Sequence, residues 1–166
     1  DEVVLENVPA ISDVEYMLEA ARRLGAKVER DMAKNTLSIV AKDIKPVKID
    51  EELANKIRTS FLFVGPLLAR IGKAVIPPPG GDQIGRRRLD SHIAGFKALG
   101  AKTTARRNAF SFRGELKGAG ILLDEASVTA TENILMASVL ARGRTEIYNA
   151  ACEPHIVNLA SMLASM

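Results

Sequence analysis

Leu24-Gly25-Ala26-Lys27 and Leu99-Gly100-Ala101-Lys102 are the same tetrapeptide, 75 residues apart. Each closes a helical pattern and opens a pair of short strands. Ahead of the first, Val14, Met17, Leu18, Ala21 and Leu24 recur at the spacing of one helix face, with Asp13 expected to cap and Gly25 to stop the helix. Behind it, residues 28–30 and 36–40 read as strands around a polar Lys34-Asn35 turn. Ahead of the second copy a helix is expected over 90–99, and behind it strands near 102–106 and 109–113. A second landmark keeps almost the same period. Leu68-Ala69-Arg70, followed by a strand at 73–76, returns 72 residues later as Leu140-Ala141-Arg142, followed by a strand at 145–148. Two landmarks at nearly one period mark a duplicated supersecondary unit.

The remaining pattern completes an α/β (α+β) chain. Residues 51–71 form one long helical pattern that Gly65-Pro66 is expected to kink or break. A strand at 120–123, a helix at 130–140 and a helix at 154–165 follow. The repeat divides the chain into units of about 1–76 and 77–148, and the helix at 154–165 opens a third, 149–166. Asp1 is not an initiator methionine and a strand is expected from Val3 to Leu5, so the reading is one incomplete domain of a longer polypeptide.

Composition narrows the function. The chain has 166 residues, 47% hydrophobic and 26% charged, which suits a globular domain with its own core. Aromatic residues are 4% and there is no Trp, so the stacking platforms of single-strand nucleic-acid binders are scarce. The net charge of +3 favours an anionic small ligand and is too small to argue for DNA. Cys152 is the single cysteine, so no intramolecular disulfide forms and a reducing compartment is compatible. No apolar run approaches the roughly 20 residues that span a bilayer, and no signal peptide is read.

The chemistry concentrates in residues 77–92. Pro77, Pro78 and Pro79 stiffen the approach, Gly80, Gly81 and Gly85 free the backbone, and Asp82 precedes Arg86, Arg87 and Arg88. Guanidinium forks bind phosphate and carboxylate in bidentate fashion. Such a loop can receive an anion and perform proton chemistry on it; the same residues also fit a solvated, basic helix start.

Several runs together resemble the enolpyruvyl transferases: Arg58-Thr59-Ser60, Gly65-Pro66-Leu67-Leu68-Ala69-Arg70, residues 79–85, Arg87, Asp90 and His92-Ile93. Leu116-Lys117-Gly118-Ala119, residues 126–131 and residues 149–157 continue the likeness through nearly the whole chain. The resemblance implies an inside-out α/β barrel domain, with helices inside and sheets outside, and a second domain elsewhere in the same polypeptide. It is to the branch that joins phosphoenolpyruvate to UDP-N-acetylglucosamine in bacterial peptidoglycan synthesis, a cytoplasmic step. The glycine–asparagine–alanine–glycine–threonine run of the sister shikimate-pathway branch is absent.

The resemblance also implies roles. Asp82 stands at the proton-donating loop position, a cysteine in most members and an aspartate in some, and Arg87 at the arginine that reaches phosphoenolpyruvate. Arg58 stands at a nucleotide-sugar arginine. Arg87, Arg88, Leu89, Asp90 and Ser91 form one strip along the uridine diphosphate, and Ser127 and Val128 a second at a helix start; an ordinary N-cap would use the same Ser127 hydroxyl. Arg88 replaces the usual proline and Thr129 the usual glycine. His92 and His155 open helices at related places in the two units, lack the further ligands a metal needs, and are assigned structural roles. No cofactor is expected. A non-catalytic or truncated paralogue and, last, a basic nucleic-acid-binding module built on residues 86–88 and Arg106-Arg107 are the other readings.

Overall fold

A computed structural model describes residues 2–45, 48–80 and 88–166. Strand β1 (Glu2–Leu5), helix α1 (Ser12–Arg23) and strands β2 (Lys27–Asp31) and β3 (Thr36–Val40) form the first unit. Strand β4 (Lys73–Ile76), helix α4 (Asp90–Ala98) and strands β5 (Lys102–Arg106) and β6 (Ala109–Arg113) form the second. Between them lie α2 (Glu51–Lys56), a 3₁₀ turn (Arg58–Phe63) and α3 (Val64–Ile71). The chain continues through β7 (Gly120–Leu122), α5 (Val128–Ser138), β8 (Glu146–Tyr148) and α6 (Pro154–Ser165).

The twin tetrapeptides do the same work in both units. Gly25 and Gly100 follow their helices at φ values of 105° and 95°, a left-handed turn that side chains with a Cβ rarely adopt. The sheets are ordered β1-β3-β2 and β4-β6-β5. Within each, both outer strands run antiparallel to the middle one, so they are parallel to each other and joined by the helix. The registers correspond: Val40 faces Glu2 and Lys27, as Arg113 faces Lys73 and Lys102. After each strand pair the chain returns to the end of the helix, where Lys45 N donates to Leu24 O at 2.8 Å and Lys117 N to Leu99 O at 2.9 Å. A third, parallel pair joins β7 to β8.

Helices occupy the middle of the main core. Val64, Leu67 and Leu68 of α3 and Ile134 and Ala137 of α5 pack with Phe96 of α4 and with Ala74, Ile76 and Phe112 from one face of the second sheet. The first sheet covers a smaller cluster of Val8, Leu18 and Leu37.

Some expected boundaries move. The pattern over 51–71 is not one helix, and its break falls at Ile57, whose φ of −138° and ψ of 139° are extended, not at Gly65-Pro66. Pro66 lies in the first turn of α3, where no intrahelical N–H bond is lost. Ile11, not Asp13, takes the N-cap position of α1; Asp13 sits in the first turn, where its charge meets the positive helix end. Ser127 starts α5 at Val128, two residues earlier than expected. Among the described residues no helix is long and apolar enough to cross a membrane.

Candidate functional site

The proline run leaves β4 and docks on α2. Asp50 caps that helix, its carboxylate accepting from Glu52 N at 2.9 Å and Leu53 N at 3.4 Å. Pro77 is buried, and Gly80 N donates to Ala54 O at 2.9 Å. A Cβ at Gly80 would lie 1.8 Å from Asn55 O, so only glycine fits against this helix. Asp82, Arg86 and Arg87 lie outside the described residues.

At the far side of the loop the strip 88–91 meets Arg58. Arg58, half-buried at the start of the 3₁₀ turn, donates from Nη2 to Arg88 O at 3.0 Å. The Arg88 guanidinium bonds Asp90 Oδ2 through Nε at 2.9 Å and lies 3.7 Å from Asp124 Oδ2 through Nη2. Ser91, buried in the first turn of α4, donates to Asp124 Oδ1 at 2.7 Å. That bond, helped by the Arg88 charge, holds the Asp124 carboxyl below its ordinary value. Leu89 packs against the main core and fixes the entry of α4. Arg58, Arg88, Asp90 and Ser91 are thus brought together with two guanidiniums and two carboxylates in one cluster.

The second strip sits on the neighbouring helix. Ser127 caps α5, its hydroxyl accepting from Ala130 N at 3.4 Å, and Val128 follows in the first turn, half-buried. The two helix starts are tied together beneath the surface. His92 of α4 is 3% exposed; its Nε2 lies 3.2 Å from Thr129 Oγ1 and its Nδ1 3.2 Å from Asn133 Nδ2. Burial, then the Arg58 charge, lowers its pKa from 6.5 to about 4, so the ring is neutral at physiological pH. His155, by contrast, is exposed, with Nε2 4.0 Å from Glu132 Oε1. Among the described residues no group of three or more His, Cys, Asp or Glu is placed to hold a metal ion.

Two contributors escaped the sequence reading. Asn133 is fully buried on the apolar face of α5, between Ala130, Ile134 and Ala137, and an amide there requires partners. Asp124 ends the segment after β7 with no pattern of its own; its role appears only when Arg88 and Ser91 arrive from elsewhere. Asp90 and Asp124 keep the Arg88 side chain in one place, and Arg58 holds the Arg88 carbonyl, so the described cluster sets two guanidiniums beside two carboxylates.

Residues 1–166 match the family model for EPSP synthase (3-phosphoshikimate 1-carboxyvinyltransferase). The chain belongs to the EPSP synthase family. It is 51% identical over 164 residues to a UDP-N-acetylglucosamine 1-carboxyvinyltransferase of Treponema denticola and 52% identical over 165 residues to one of Bradyrhizobium diazoefficiens, covering 99% of this chain in each case. It spans 38% of the length of either relative. Among solved structures, the enolpyruvyl transferase NikO from Streptomyces tendae superposes with a TM-score of 0.82 at 19% identity, covering 98% of this chain and 38% of that one. EPSP synthase from Acinetobacter baumannii superposes with a TM-score of 0.73 at 19% identity, covering 98% of this chain and 41% of that one. These structures establish the enolpyruvyl transferase fold for the chain.

Proposed function

We propose that this chain is one domain of an enzyme that moves the enolpyruvyl group of phosphoenolpyruvate to the 3′-hydroxyl of UDP-N-acetylglucosamine and releases phosphate. The observation that carries the reading is identity of about one half, over 99% of the chain, with relatives that bear the name of that transferase. The reaction would be the first committed step of peptidoglycan synthesis, in the bacterial cytoplasm. The remaining length, present in the relatives and outside this chain, would supply the second domain and close both the inside-out barrel and the active site. The isolated chain should accordingly release no phosphate from the two substrates.

The chemistry needs a proton for the methylene carbon of phosphoenolpyruvate, an attack by the sugar hydroxyl, and cations for phosphate and carboxylate. Asp82 is proposed as the proton donor and Arg87 as the phosphoenolpyruvate arginine. Arg58, Arg88, Leu89, Asp90, Ser91, Ser127 and Val128 would line the nucleotide sugar. The clustering of Arg58 with strip 88–91 and the neighbouring start of α5 support this division of labour. Asp82 must be protonated to act, so burial or the substrate's own charge has to offset the nearby arginines.

The test uses the full-length enzyme and follows phosphate release. Asp82→Asn keeps the shape of the side chain and removes the transferable proton, so kcat should fall by about 10²–10⁴. Asp82→Cys should keep activity and become sensitive to fosfomycin, which alkylates a thiolate far more readily than a carboxylate. Arg87→Lys should weaken phosphoenolpyruvate binding, because the fork is lost while the charge stays. A full-rate Asp82→Asn enzyme would remove Asp82 from the chemistry, and a full-length enzyme inert towards UDP-N-acetylglucosamine would overturn the reading.

A further inference from the structure

We propose that His92, oriented by Asn133, is a positioning residue that fixes the spacing between the strip 88–91 on α4 and the strip 127–128 on α5, and that Thr129 fits beside the second strip because its hydroxyl is engaged by this histidine. The identity of the ligand rests on the transferase reading above; the positioning itself rests on geometry.

The orientation of Asn133 is settled without reference to the histidine. Gly65 N–H can only donate, and it meets Asn133 Oδ1 at 2.7 Å. Phe61 O can only accept, and it meets Asn133 Nδ2 at 2.9 Å. The amide therefore has one hydrogen left, and its nitrogen lies 3.2 Å from His92 Nδ1. A ring nitrogen that accepts carries no proton. The neutral imidazole must then keep its proton on Nε2, where it is donated to Thr129 Oγ1 at 3.2 Å. Asn133 is 0% and His92 3% exposed, so the bond between them is shielded from water. Phe61 packs against the ring edge-on, with centroids 5.1 Å apart. One tautomer of one side chain thus joins α4 to α5, and through Asn133 to α3 and the 3₁₀ turn.

A consequence follows for Thr129. This β-branched residue, next to Val128, brings bulk and a hydroxyl to the edge of the proposed nucleotide strip. Here the hydroxyl is taken up by the histidine. The residue becomes part of the brace between the strips, and the ligand's polar groups need not satisfy it.

The experiment uses the full-length enzyme. His92→Ala should raise KM for the nucleotide sugar about tenfold, the effect of one or two lost hydrogen bonds, with kcat within about threefold of wild type. His92→Gln, which restores a donor near Nε2, should recover most of that loss. Thr129→Val keeps the side-chain shape, removes only the acceptor, and should raise KM about threefold; it guards against misfolding of the alanine variant. Imidazole ¹⁵N shifts of the full-length protein should show the Nε2–H tautomer, unchanged from pH 8 to 5.5. An Nδ1–H tautomer, titration within that range, a KM unchanged in both His92→Ala and Thr129→Val, or a loss confined to kcat would overturn the proposal. Should the wild-type enzyme fail to use UDP-N-acetylglucosamine, the transferase reading falls, and the ring tautomer still decides the brace.

Discussion

Glu2, Val40 and Lys27 lie side by side on the outward face of the first sheet, at the register positions that Lys73, Arg113 and Lys102 take in the second. One row pairs an acid and a base around an apolar residue; the other sets three cations next to one another. The inward faces differ as much. Beneath the first sheet Leu37 closes the small cluster with Val8 and Leu18, and Arg30 reaches under it to Glu15 and to the carbonyls of Val8 and Pro9. Beneath the second, Phe112 meets Phe96 and Phe61 edge-on within the main core. Strand order and crossover are the same, so the backbone plan does not dictate what a sheet bears. The helices laid against it do. The second sheet carries α3 and α4, on which α5 packs in turn, and with these helices come the starts of both site strips; the first carries α1.

The contrast is most exposed to attack in the core. Phe112→Ala should cost about 3–5 kcal/mol in chemical denaturation, and Leu37→Ala about 2–3 kcal/mol, because the smaller cluster has fewer neighbours to lose. Equal costs would mean that the two sheets are equally anchored.

Acid should act on the second side first. His92 is neutral in the fold with a pKa of about 4, against 6.5 when free. The unfolded chain therefore binds the extra proton between those values. The stability this residue allows is complete above about pH 6.5 and declines as pH falls towards 4, by up to about 3 kcal/mol. Denaturation midpoints at pH 7 and pH 4.5, compared between wild type and His92→Gln, measure it. A wild-type loss no larger than the variant's would show that the histidine is not held neutral.

The smallest effect lies in the outward rows. Arg113→Glu places an acid between Lys73 and Lys102 and should stabilise the protein by about 0.5 kcal/mol at low salt, fading towards zero near 1 M. Val40→Arg, between an acid and a base, should change stability by less. A destabilising Arg113→Glu would show that the cationic row is not under electrostatic load.

The regular elements were largely legible in the sequence because their signals are local. Leu-Gly-Ala-Lys names a helix end through the left-handed glycine, and the strand pairs follow from alternation around short polar turns. The break at Ile57 was misplaced because Gly65-Pro66 is a strong local breaker, yet in the first turn of α3 it breaks nothing. Asp13 reads as a cap on composition alone, although the fold uses it within the first turn of the helix. The brace was not legible at all. Asn133 meets Gly65, Phe61 and His92 across 68, 72 and 41 residues of chain, and no spacing rule connects them. Arg58, Arg88, Asp90 and Ser91 were legible as candidates through the resemblance; that Asp124 joins Arg88 to Ser91 was not.

Both ends of the loop are held by one short piece of backbone. Gly80 N–H is tied to Ala54 O, and Arg88 O to the Arg58 side chain, four residues further along that segment. Gly80 and Arg88, the described residues on either side, are thus both fixed by the frame to residues 54–58. Gly80 is the residue that cannot change, since any side chain there would collide with Asn55 and pull one anchor loose.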